Sequence, residues 1–318
     1  MTMIQSLLVL GLTGLIAFGC QTTPKRKNYV AVGNQYAKDG LLREAAESYK
    51  RALSKQAKNS TAHRNVGMVL VKLGEYKAAA RHLEKAMRKY EKDFDANFYL
   101  AEAYRAQDKY ADAIFRYQRA LKIRAEDPRA LKPLAWSYFK IRYYSEAMAT
   151  TKRLAKVADD DDQVAIIMAR TMLKLNRGRE ALSALRRGRA TARKTSVPYY
   201  DSVEGDIHYA LGDQRKAKNA YKAALKDQPL LAGALLGLGK CMLDENRNDL
   251  AIKFLERATR IRPNLAEAHY LLGRVYEDID RQKAVRYYHY FRKQAATDPE
   301  FVEELTRVRE RLGHLQRN

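Results

Sequence analysis

Along the chain, apolar residues recur at helical spacing, and a longer period is laid over that one. Small residues stand at Gly33, Gly67, Ala101, Ala135, Ala169, Gly205, Gly239 and Gly273, separated by 34, 34, 34, 34, 36, 34 and 34 residues. A second small series, Ala45, Ala79, Ala113, Ala147, Ala181, Ala217, Ala251 and Ala284, is separated by 34, 34, 34, 34, 36, 34 and 33 residues. The two series stay in phase, apart from a two-residue insertion near Val197 and a one-residue loss near Gln282. Self-similarity of this period predicts a stack of small helical units and not a single central core.

From about Arg26 to Asp298 the chain resembles the tetratricopeptide repeat family. In that family's register the small residues are positions 8 and 20, and large apolar residues belong at positions 7, 11 and 24. Here these are Val32, Tyr36 and Tyr49 in the first repeat, Leu100, Tyr104 and Tyr117 in the third, and Leu238, Met242 and Leu255 in the seventh. Pro229 and Pro263 fall at position 32, where proline stops a second helix. The resemblance implies an all-α fold, a right-handed solenoid of antiparallel helix pairs with eight repeats: 26–59, 60–93, 94–127, 128–161, 162–195, 198–231, 232–265 and 266–298. Gly or Ala at positions 8 and 20 lets paired backbones approach, and the large residues fill the space between pairs. Residues 299–318 read as a polar capping helix with Asp298 as N-cap and Pro299 at the first helical position. The fourth, fifth and sixth repeats are degenerate, and the insertion makes the fifth-to-sixth junction the expected weak interface.

The leading segment changes the picture. Residues 1–19 carry no charge, and Leu7 to Phe18 is a short apolar run of signal-peptide length. Ala17-Phe18-Gly19-Cys20 resembles the lipobox of bacterial lipoproteins, with Ala17 where that family prefers Leu and with no leading Lys or Arg. That resemblance implies cleavage before Cys20 and acylation of Cys20, a basic tether over residues 20–25, and residence on the outer membrane facing the periplasm. Cys241 stands in a helical repeat and is read as a small packed thiol, not as a partner of Cys20.

Charge narrows the partners. With 60 Lys and Arg against 37 Asp and Glu the formal net charge is +23, which favours anionic surfaces or acidic partners. In the resembled family the first helix of each repeat lines the concave face. That implies a groove of Asn34, Arg64, Asn65, Phe98, Tyr99, Glu102, Lys132 and Trp136, continuing through Phe139, Arg170, Tyr199, Tyr209, Lys240, Tyr270 and Arg274. Asn34 and Asn65 match two positions of the carboxylate clamp of some family members, but Val30, Asp95 and Tyr99 stand where its basic residues belong. The groove is therefore expected to hold a peptide without reading a terminal carboxylate. Arg186, Arg187, Arg189, Arg193 and Lys194 form the densest basic segment, a solvated helix face or a contact for an anionic surface.

Other clusters carry less. Asp201, Glu204 and His208 share a helical face, expected to hydrogen-bond at the irregular junction and not to hold metal. Asp159 to Asp162 reads as solvated linker, lacking the ligand spacing of a calcium loop. Gly237-Leu238-Gly239-Lys240 lacks the full phosphate-loop pattern, and Gly239 is already explained by position 8. His63 and His269 share a packing position. No spacing suggests a catalytic set or a cofactor site. The expected function is a membrane-anchored scaffold holding a protein partner. The layout is similar to pilotin-type lipoproteins that assist pilus or secretion channels. A polyanion binder, or an adaptor for cell-wall enzymes, is the alternative.

Overall fold

The computed structural model describes residues 28–158, 160–296 and 298–317. The segment with Cys20 and the basic tether lies outside the described residues. Helices come in pairs: α1 (Tyr29–Lys38) with α2 (Leu42–Lys55), α3 (Ser60–Lys72) with α4 (Tyr76–Tyr90), α5 (Phe94–Arg105) with α6 (Tyr110–Ile123), and α7 (Pro128–Lys140) with α8 (Tyr144–Val157). The series continues with α9 (Asp162–Lys174) and α10 (Gly178–Arg189), α11 (Val197–Ala210) and α12 (Gln214–Asp227), α13 (Ala232–Asp244) and α14 (Asn248–Ile261), α15 (Ala266–Tyr276) and α16 (Arg281–Ala295). A last helix, α17 (Val302–Arg317), packs on α16. Among the described residues no strand forms, and no helix is long and apolar enough to cross a membrane.

Local chemistry sets the helix ends. Asn59, Asp93, Asp127 and Asp161 each close one repeat and cap the next first helix, accepting from the backbone N–H of Ala62, Ala96, Arg129 and Gln163 at 2.7–3.0 Å. Each first helix of the first seven repeats ends on a left-handed residue: Gly40, Gly74, Asp108, Arg142, Asn176, Gly212 and Asn246, all with φ between 56° and 80°. The next amide then bonds five residues back, as in Leu41 to Tyr36 and Arg247 to Met242, which turns the chain into the second helix. Two residues of the acidic run are not solvated linker: Asp161 is a cap, and the buried Asp162 carboxylate accepts from Arg193 and Ser196 at 2.6 and 2.7 Å.

All eight alanines of the second small series have no exposed surface. At position 8 the glycines are sockets. A Cβ on Gly33, Gly205 or Gly273 would lie 2.5–2.6 Å from the ring of Tyr49, Tyr221 or Tyr288, and on Gly67 or Gly239 it would meet Leu83 or Leu255 at 2.6–2.7 Å. The two helices of each repeat pack on one another, and the second packs on the first helix of the next repeat. First helices of neighbouring repeats also touch, as α3 does α5 and α9 does α11, whereas second helices make no comparable contact. The first helices therefore lie on the inner, tighter side of the curve.

The insertion is absorbed by a short 3₁₀ turn, Lys194–Ser196, and α10 packs on α11 less extensively than other helices meet across repeat junctions. Ion pairs support that junction. Arg189 pairs with the buried Asp201, Arg186 reaches Glu204 at 3.3 Å, and Arg193 holds Asp162. The capping segment likewise starts with a 3₁₀ turn, Pro299–Phe301, which Asp298 caps. From that turn Glu300 crosses to the middle of the array, accepting from Lys174 at 2.5 Å and standing 3.8 Å from Arg142. The stack thus curls far enough for its C-terminal end to touch the fourth and fifth repeats.

Candidate partner-binding groove

The inner wall is built from position 9 outward. Tyr49 donates to Asn34 at 2.8 Å, Tyr117 to Glu102, and Tyr221 to Asp206 at 2.9 Å. In these three repeats a buried hydroxyl at position 24 consumes the polar group at position 9. Burial beside a carboxylate pushes the Tyr117 and Tyr221 phenols far above their usual range. Where position 24 is Leu83, Thr151, Leu185 or Leu255, position 9 is instead Met68, Trp136, Arg170 or Lys240, which owe no hydrogen bond to the core.

Two of these residues stand side by side in the middle of the wall. Trp136 stacks on Phe139 with centroids 5.2 Å apart and planes 14° from parallel. The Arg170 guanidinium lies 5.9 Å from the Trp136 ring and the Lys140 ammonium 5.7 Å from it. An open cavity of about 740 Å³ lies here, and Phe98, Glu102, Lys132, Trp136, Arg170 and Tyr199 line it. Four successive repeats contribute those six residues. Arg105, Arg129, Gln163 and Ile166 also line it, at groove positions whose periodicity could have found them.

Many charged wall residues are already neutralised. Lys132 donates to Asp161 at 2.6 Å, Arg105 to Glu102 at 2.7 Å, and Arg129 to Asp127 at 2.8 Å. Arg170 and Lys140 have no ion-pair partner among the described residues, and the Arg170 Nε, buried, has no acceptor. Enclosure by protein lowers the pKa of both, and the neighbouring charge of Arg262 adds to the effect. Asp206 offsets Arg170 in part, although its own carboxyl is pushed upward by burial.

The remaining expected residues are dispersed. Asn65 donates to Asn34 at 2.8 Å, so the two clamp-like asparagines bond each other and Tyr49. Arg64 forks onto Asp93 at 3.1 Å. Tyr99 packs into the N-terminal core, edge-on to Phe98. Tyr209, Lys240 and Arg274 share a second hollow of about 350 Å³, where Lys240 pairs with Glu267 at 2.9 Å. Tyr270 packs on Phe291, 5.2 Å between centroids, with Arg274 over its ring.

The basic segment is not a free strip. Arg186, Arg189 and Arg193 are committed to the junction carboxylates and Arg187 donates to Ser183, which leaves Lys194 without a described partner. The same pairs occupy Asp201 and Glu204, with His208 3.7 Å from Glu204. His63 and His269 are buried, and each Nε2 lies within 3.0 Å of a carbonyl six residues back, Ala57 or Pro263. Cys241 is buried, its thiol pushed up to about 11 by desolvation.

The tetratricopeptide repeat family model matches residues 33–80, 67–130 and 203–266, together just over half of the chain. The chain belongs to the tetratricopeptide repeat family. A model described as anaphase-promoting complex, cyclosome, subunit 3 matches residues 106–188, which takes in the fourth repeat and most of the fifth. No curated protein sequence matches the chain. Among solved structures, a tetratricopeptide repeat protein from Parabacteroides merdae superposes with a TM-score of 0.67 at 16% identity, over 78% of this chain and 97% of the other. The hetero-tetramer Cut9-Hcn1 of the anaphase-promoting complex gives 0.59 at 14% identity, over 88% of this chain and 55% of the other. A monomeric mutant of IFIT1 with Gppp-AAAA gives 0.59 at 16% identity, over 91% and 73%. At such identities the likeness shows the fold alone. A solenoid of tetratricopeptide repeats is a fold suited to scaffolding protein contacts.

Proposed function

We propose that this chain is a scaffold that holds a protein partner against its inner wall at Trp136, tethered to a membrane through Cys20. One observation carries the first half. The fourth and fifth repeats leave position 9 free of core duty, and the Trp136–Phe139 stack and Arg170 stand there over a cavity of about 740 Å³. Aromatic and arginine side chains in such a hollow are the residue types that dominate binding energy at interfaces. The lipobox-like Ala17-Phe18-Gly19-Cys20 supports the tether. The pairing of such a motif with repeats supports a periplasm-facing place on the outer membrane, assisting an envelope assembly such as a pilus or secretion channel.

Capture from detergent-solubilised envelopes tests it, comparing wild type with Trp136→Ala plus Tyr199→Ala. The variant should lose a partner that wild type retains. Equal recovery with unchanged helicity would remove the groove reading. A mature form that stays soluble, or a Cys20→Ala protein that fractionates with membranes as before, would remove the tether.

A further inference from the structure

Inside the curl, cations gather beside Trp136, and Asp206 offsets Arg170 only in part. Lys140 ends α7, Arg170 lies on α9, and Arg262 caps the far end of α14, yet the charge of Arg262 acts on both of the others. None of the three has an ion-pair partner among the described residues. On the same wall Lys132 is matched by Asp161 and Lys240 by Glu267, whereas Arg274 also lacks an ion-pair partner among the described residues. A folded chain that gathers like charge with only part of its counter-charge loses stability by it, unless a ligand supplies the rest.

The molecule already shows what such a rim accepts. A few residues along, Lys174 and Arg142 share one carboxylate, Glu300, delivered by a separate stretch of backbone. We propose that this middle cavity takes an acidic, extended protein segment. Its carboxylates would meet Lys140 and Arg170, with an apolar side chain against Trp136 and Ile166. This rests on the groove reading above and specifies the occupant.

The lining favours peptide over nucleic acid. Glu102 stands in the lining, so a continuous phosphate backbone would run past a carboxylate that spaced side chains can avoid. One face of Trp136 is already covered by Phe139, which limits base stacking. Asp108 and Asp298 act on Lys140 only as weaker opposing charges.

Trp136 is the only tryptophan and reports on its own site. The full chain is titrated with a short Asp/Glu peptide carrying one central Leu, with neutral and Lys-rich peptides of equal length, and with a thymidine oligonucleotide. The acidic peptide should shift Trp136 emission and bind more weakly as salt rises. Lys140→Gln and Arg170→Gln should each weaken it about tenfold, ~1.4 kcal/mol, with helicity retained. Lys140 is the last residue of α7, so its variant serves if the Arg170 substitution disturbs the fold. No emission change with the acidic peptide, equal binding by both variants, or tighter binding of the oligonucleotide would overturn the proposal. A neutral peptide that binds at Trp136 regardless of these cations would overturn it while leaving the groove reading intact. Equal partner recovery by the Trp136→Ala plus Tyr199→Ala protein would remove both.

Discussion

Glycine at position 237 shows how one residue takes its meaning from a neighbouring repeat. It sits in Gly237-Leu238-Gly239-Lys240, which looks like the start of a phosphate loop. In the fold a Cβ there would lie 2.2 Å from the Tyr221 ring, and the same ring already fills the socket left by Gly205. Tyr221 is thus pressed between the first helices of the sixth and seventh repeats and fixed by Asp206. Gly237→Ala should destabilise this stretch by about 1–3 kcal/mol, the usual effect of overpacking a filled core. Hydrogen exchange of α12 and α13 reads it locally; unchanged protection would show that the ring has room. The period explains Gly205 and Gly239, but Gly237 answers a side chain from the preceding repeat, which only packing reveals.

The helices owe their starts to a device that recurs with the repeat. Asp93 caps α5 through the Ala96 amide at 2.7 Å and also receives the Arg64 guanidinium. Asp93→Ala removes both and should cost about 1–2 kcal/mol. Asp93→Asn retains a good cap and loses only a partly exposed ion pair, well under ~1 kcal/mol. Amide exchange at the start of α5 separates the two, and equal effects of both substitutions would refute the capping account. The residues that carry this recur in the sequence at a constant stride, Asn59, Asp93, Asp127 and Asp161, yet only Asp161 stands out there, as part of an acidic run that reads as linker. Their role appears once the first helix is known to begin one residue later.

On the scale of the whole molecule, the curl is closed by a contact between residues 126 positions apart, Lys174 and Glu300. Repeat stacks are held by neighbour interfaces alone, so such a contact is additional and easily lost. Both side chains are about two-fifths exposed, so the pair is worth well under ~1 kcal/mol and is screened by salt. Glu300→Lys should let the C-terminal repeats swing away, enlarging the radius of gyration in X-ray scattering at low salt. In wild type the same enlargement should appear as salt is raised. An identical scattering profile for the variant would mean that the curvature of the stack alone sets the shape.

Local and nearest-neighbour terms were legible in the amino-acid order: helix pairs, their register, the Gly and Ala crossings and the irregular fifth-to-sixth junction all follow from short-range sterics repeated at a fixed interval. Which wall residues are free was not legible, because that depends on bonds formed across repeats. Asn34, Glu102 and Asp206 look as available as Trp136 and Arg170 until buried tyrosines claim them. The Glu300 bridge and the unmatched Lys140, Arg170 and Arg262 depend on the accumulated curvature of the stack. Curvature is a sum of small rotations at every interface, so only the assembled fold determines which distant charges meet.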